Sequence, residues 1–168
     1  MSVQKIFLVR RSFRVDGGAE LALQTFAKSL GKIAEIELIC QTWDHSKQDL
    51  FAHITEVTKS GLTRRGKYGS FIKGVRKAFE RANEGILHSH EFVPGANVLR
   101  LGDGLHSSWV RRAGIRESWL SDGFHKFKVD LERESLSHPS LKSVIVNSKF
   151  VADELSAAYG FNSSILIR

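Results

Sequence analysis

One cysteine and two prolines are all that the 168 residues contain of either type. A lone cysteine forms no internal disulfide and cannot build a cysteine-based zinc site. Cys40 ends the apolar run Ile36-Glu37-Leu38-Ile39-Cys40, and nothing nearby in sequence is placed to lower its pKa. It reads as a buried inert thiol, with a catalytic thiol as the alternative. The lack of disulfides agrees with a reducing compartment. Long hydrophobic runs are missing as well. The opening MSVQKIFLVRRSFR has too short an apolar stretch for a signal peptide, and arginines interrupt it. No segment reaches the length of a membrane-spanning helix, so any meeting with a membrane is expected at its surface. No repeat, low-complexity tract or internal linker occurs, and no GxGxxG dinucleotide fingerprint.

What is present is ordinary in bulk and uneven in detail. An apolar fraction of 42% and a charged fraction of 26% suit a globular chain, and the length suits one domain with a proper core. The net charge of +7 is concentrated locally. Residues 62–128 hold 13 Lys/Arg against 6 Asp/Glu, and the remainder holds 12 of each. An anionic partner for the middle segment follows: phosphate, nucleic acid or a lipid surface.

Short β runs alternate with helical stretches. Lys5 to Arg10 reads as a first strand, followed by the turn Val15-Asp16-Gly17-Gly18 and a helix from about Ala19 to Leu30 that Gly31 stops. Ala34 to Cys40 and Ala52 to Thr58 are the next strands. Tyr68, Ile72, Val75 and Phe79 then mark one face of an amphipathic helix over 66–82, with Lys73, Arg76, Lys77 and Arg81 on the other. Strands follow at Gly85 to His88 and Asn97 to Leu101. Residues 107–135 are mainly helical with breaks near Gly114 and Gly123. A strand at Leu141 to Val146, a helix capped by Ser148 and ending near Tyr159-Gly160, and a strand at Ser163 to Ile167 complete the pattern. This alternation predicts an α/β, Rossmann-like three-layer domain with a mostly parallel sheet.

In such sheets ligands bind beyond the carboxyl ends of the strands. Gly17 and Gly18 there open the first helix, whose free N–H groups suit a phosphate, although a tight turn without ligand explains them equally. His88, His90 and Glu91 suit an active cleft or acid–base work, but lack the further ligands of a zinc site; structural histidines are the alternative. Asp103, between Gly102 and Gly104, is either a turn former or a functional carboxylate. Aromatic and basic residues from Trp109 through Arg111, Arg112, Arg116 and Trp119 to Lys128 suit a membrane surface rather than nucleic acid, for which no motif is present. A packed helix with a solvated basic face is the alternative there.

In their order, several stretches resemble the amino-terminal domain of family four glycosyltransferases, within it the enzymes that glycosylate lipopolysaccharide core. They are Phe13 to Glu20, Cys40 to Asp44, Leu62 to Gly66, Val93 to Asn97 leading to Gly102-Asp103, and Asn147 to Phe150. The resemblance covers nearly the whole chain. It implies a retaining B-type enzyme that moves a sugar, glucose from UDP-glucose by preference, onto a lipopolysaccharide core or related lipid-linked acceptor. It also implies that Gly17 and Gly18 face donor diphosphate and acceptor, that Asp103 acts near the reacting sugar, and that no metal or other cofactor is needed. Arg64, Arg65 and Lys67 would meet an anionic acceptor, and the Trp109 to Lys128 segment a membrane. The implied setting is peripheral, on the cytoplasmic face of the inner membrane. By the same resemblance residues 1–168 form one acceptor-side domain, with the donor domain absent from this chain and little activity expected of it alone. A non-catalytic module binding a nucleotide or an anionic surface is the alternative. A nicotinamide oxidoreductase is disfavoured, since an acidic residue at the expected ribose position is also missing.

Overall fold

A computed structural model describes residues 4–13, 17–115, 123–161 and 166–167. The chain divides into two compact units, Met1–Ser89 and His90–Arg168.

The first unit is built on strands β1 (Lys5–Val9), β2 (Glu35–Cys40), β3 (His53–Glu56) and β4 (Ile86–Ser89), in the spatial order β3-β2-β1-β4 with parallel pairings. Helices α1 (Gly18–Leu30) and α2 (Arg64–Ala82) join them, with a 3₁₀ turn at His45–Leu50. The central strands carry apolar side chains on both faces because both faces are covered. Ile6, Leu8, Ile36 and Leu38 pack with Leu23 and Ala27 of α1. Phe7, pointing the other way, meets Phe79 of α2 edge-on at 5.5 Å. Thus α1 covers one face and α2 the other. β3 is shorter than its apolar signal suggests, since it is an edge strand with His53 and Glu56 exposed.

Two positions fix α2. Gly61 has φ +102°, and a Cβ on it would press on the Gly66 and Lys67 backbone at 2.7 and 2.9 Å, so the turn before α2 needs glycine. At Gly74 a Cβ would overlap Val57, a buried β-branched residue whose N–H is held by the Cys40 carbonyl at 2.7 Å. Gly→Ala inside a helix normally stabilises by about 1 kcal/mol. Here overpacking costs about 1–3 kcal/mol and wins. Gly74→Ala is therefore expected to lower the unfolding free energy in a urea titration, and a rise would contradict the packing described.

The second unit has strands β5 (Val98–Leu101), β6 (Ser143–Val146) and β7 (Leu166–Ile167), paired in parallel in that order. Among the described residues its helices are α3 (His106–Arg112), α4 (Phe124–Leu136) and α5 (Lys149–Tyr159). The expected helical breaks coincide with positive φ at Gly114 (+62°) and Gly123 (+84°). Ser148 caps α5 by accepting the Val151 N–H at 3.3 Å, and Gly160 closes it in the left-handed conformation. Leu99 beside Val144 and Leu101 beside Val146 form the buried rows of the sheet.

Candidate functional site

In the first unit, strand order reverses between β1 and β4. The chain leaves β1 toward β2 and β3 on one side, then returns through α2 to β4 on the other. Such a switch point leaves a crevice at the carboxyl edge of the strands. Gly17 and Gly18 lie at that edge, as do Arg64, Arg65 and Lys67 in the first turn of α2. The two glycines differ. Neither needs a left-handed backbone; Gly17 is the extended N-cap of α1. A Cβ on Gly17 would collide with the Glu20 carboxylate, which folds back over it, whereas a Cβ on Gly18 would meet open space. Gly17 therefore makes room for a side chain of its own helix, and Gly18 is the open position.

The pattern of glycines did not disclose this Glu20. It is buried, and its Oε1 accepts from Arg10 at 3.2 Å (Nη2) and 3.4 Å (Nε), an ion pair at the end of β1. The available signal is its position: glutamate three residues after an N-cap is the capping-box spacing. Arg11 stacks over the Tyr68 ring at 5.2 Å and joins the basic first turn of α2 to the β1 loop. That turn contains no acidic residue, and Thr63 caps it through the Gly66 N–H at 3.0 Å.

The histidines separate. His88 is buried in β4 with its ring edge-on to Phe26 of α1 at 4.9 Å. β4 ends at Ser89, and His90, also buried, lies beyond the strand. Among the described residues no group of three or more His, Cys, Asp or Glu is placed to hold a metal ion. Cys40 lies in the core, and burial, then the charge of Glu56, pushes its thiol up to about 12, as an inert thiol requires.

In the second unit, Asp103 is exposed at the tip of the loop after β5, with no hydrogen bond or ion pair to another described residue. The loop around it is held firmly. Asn147 donates to the Gly102 carbonyl at 2.8 Å. Gly104 takes φ +77°, which favours glycine. Downstream, Glu132 of α4, fully buried, accepts the Ser107 N–H at 3.1 Å, the Ser107 hydroxyl, and the Tyr159 hydroxyl at 2.8 Å. Burial first, then its own hydrogen bond to Glu132 and that carboxylate's charge, raise the Tyr159 pKa well above the usual phenol range, so it remains a donor.

Along α3, Arg112 pairs with Glu154 and lies over Phe150 at 5.2 Å, so its charge is already engaged; Arg111 is exposed. Trp109 is 45% exposed. Arg116 and Trp119 lie outside the described residues. No described helix is long and apolar enough to cross a membrane. His106 and His125 share a hydrogen bond, Nε2 to Nδ1, at 3.1 Å. Burial first, then the charges of Lys128 and His125, hold the His106 pKa down to about 4 from 6.5. In the unfolded chain His106 takes up its proton as pH falls through its ordinary value, while in the fold it resists until about 4. Its contribution to stability is thus complete above about 6.5 and is lost as pH drops toward 4. An NMR titration is expected to give His106 a midpoint near 4; an ordinary midpoint would contradict this packing.

The family model described as Glycosyltransferase Family 4 matches residues 16–166. No curated protein sequence matches the chain significantly. Among solved structures the chain is similar to WaaG, a glycosyltransferase involved in lipopolysaccharide biosynthesis, at TM-score 0.86 and 12% identity over 96% of this chain and 44% of WaaG. It is also similar to Phytolacca americana UGT2 complexed with UDP-2fluoro-glucose and pterostilbene, at TM-score 0.59 and 11% identity over 100% of this chain and 54% of that one. A UGT transferase from Siraitia grosvenorii in complex with UDP gives TM-score 0.50 and 10% identity over 94% and 49%. The chain thus spans about half the length of these structures, and at such identities the likeness shows the fold: the α/β, Rossmann-like half of a B-type glycosyltransferase. With a family match over nearly its whole length, the chain belongs to Glycosyltransferase Family 4.

Proposed function

We propose that the chain is the amino-terminal, acceptor-side half of a retaining enzyme that transfers glucose from UDP-glucose to a lipopolysaccharide core or related lipid-linked glycan. The observation that carries this reading is Asp103, an exposed carboxylate without a partner among the described residues, on a loop whose backbone is pinned. A carboxylate on such a loop would orient a donor sugar or stabilise positive charge developing at its anomeric carbon. Gly18, with open space where a side chain would stand, admits the diphosphate or acceptor to the α1 N-terminus. Arg64, Arg65 and Lys67 offer cations to a phosphorylated acceptor. Cationic side chains and helix termini offset the leaving diphosphate without a metal. The role of WaaG in lipopolysaccharide biosynthesis supports the acceptor class, and the UDP ligands of the two plant structures support the donor nucleotide. On this reading a donor domain completes the enzyme, as the chain spans 44% of WaaG. The setting is the cytoplasmic face of the membrane, with Arg111 toward anionic headgroups.

Titration calorimetry of the complete two-domain protein tests the donor assignment. UDP-glucose is expected to bind and NAD to give no heat. Binding of NAD with no response to any UDP-sugar would overturn it.

A further inference from the structure

The ring cluster that begins three residues after Asp103 has no part in the proposal above. The His106 and His125 rings are nearly coplanar, at 11° with centroids 5.3 Å apart and facing nitrogens at 3.1 Å. At that separation a nitrogen-to-nitrogen hydrogen bond places them edge to edge, so they form one flat surface. Trp109 lies nearly parallel to both, at 20° and 29°, with centroids 5.4 and 5.5 Å away. Phe124 closes against His125 at 5.8 Å. The outer nitrogens, Nδ1 of His106 and Nε2 of His125, make no hydrogen bond to another described residue.

We propose that Trp109, with His106 and His125, is the platform on which a sugar ring of the acceptor stacks; this rests on the glycosyltransferase reading above. A pyranose has an apolar face of C–H groups and a rim of hydroxyls. The cluster offers the complement: a half-open indole and, against it, imidazole rings whose outer nitrogens exchange hydrogen bonds with hydroxyls. Since His106 is neutral at pH 7, one of its nitrogens accepts. A lipid surface fits less well. Among the described residues of this unit the only other exposed large apolar side chain is Phe150, and Arg112 lies over it. A lone indole amid imidazoles provides no contiguous apolar patch to insert. Position agrees with the acceptor: the platform opens on the helix that the Asp103 loop enters, and Glu132 clamps that junction.

The test is an NMR titration of the ¹⁵N-labelled chain with delipidated core oligosaccharide, read at the Trp109 indole N–H. Saturable shifts of that resonance are expected. Trp109→Ala should weaken binding roughly tenfold, whereas Trp109→Phe should keep most of it. In the complete enzyme Trp109→Ala should raise the KM for the oligosaccharide by a similar factor and leave the KM for UDP-glucose unchanged. An indole signal that does not move with oligosaccharide overturns the platform, and so does a signal that moves only with phosphatidylglycerol vesicles. Either result leaves the transferase reading intact if transfer itself persists. Absence of transfer by the wild-type enzyme sinks that reading, while the titration decides the platform.

Discussion

Replacing Glu132 with alanine is expected to lower the unfolding free energy by about 3–4 kcal/mol, through hydrogen-bond donors left unsatisfied at about 1–3 kcal/mol and the cavity left by a buried side chain. The carboxylate is fully buried and accepts all three hydrogen bonds described for it, from the Ser107 N–H, the Ser107 hydroxyl and the Tyr159 hydroxyl. Alanine leaves three partly buried donors without their acceptor and a cavity besides. For a chain of this size that corresponds to a fall in melting temperature of about 6–15 °C. Glu132→Gln keeps the shape but turns one oxygen into an NH₂ group, so it should lie between wild type and alanine. Tyr159→Phe removes a single bond and should cost about 1–2 kcal/mol. The order alanine, glutamine, phenylalanine, from worst to mildest, is the signature of a carboxylate acting as a clamp. If all three variants melt within a degree or two of wild type, the network contributes nothing.

Asp103→Asn should act in the opposite manner. The side chain is exposed and bonds to no other described residue, so melting should change little. Transfer by the complete enzyme should fall by about 10²- to 10³-fold, the loss seen when one preorganised electrostatic group is removed from a transition state. The loss should be in kcat, because asparagine preserves the shape while deleting the charge that opposes a developing cation. Activity within about twofold of wild type would remove Asp103 from the mechanism. Disturbing the brace instead, through Asn147→Ala at the Gly102 carbonyl, should produce a weaker version of the same loss.

Much of the fold was legible in the sequence because the central strands are apolar on both faces and the helices carry ordinary stops and caps. β1 and β2 read clearly, as did Ser148 at the start of α5 and Gly160 at its end. The edge strand β3 was overextended, because a strand covered on fewer sides has a weaker pattern. The site was legible only in part. Glycines around Asp103 announced a loop, but its bracing comes from Asn147, 45 residues from Gly102, and from Glu132, 25 residues from Ser107. No periodicity connects such pairs. Glu132 also occupies the buried face of α4 beside Leu131 and Leu136, where pattern reading expects an apolar residue. Nearness in sequence groups His88 with His90, but β4 ends at Ser89 between them.

The central claim is that this half supplies acceptor-side chemistry for sugar transfer. A single-turnover assay of the complete enzyme with radiolabelled UDP-glucose and delipidated core oligosaccharide tests it most directly. Label is expected in the oligosaccharide, in the same anomeric configuration as the donor. A folded enzyme that binds both substrates yet leaves all label on the nucleotide, or releases it only as free glucose, would contradict the account.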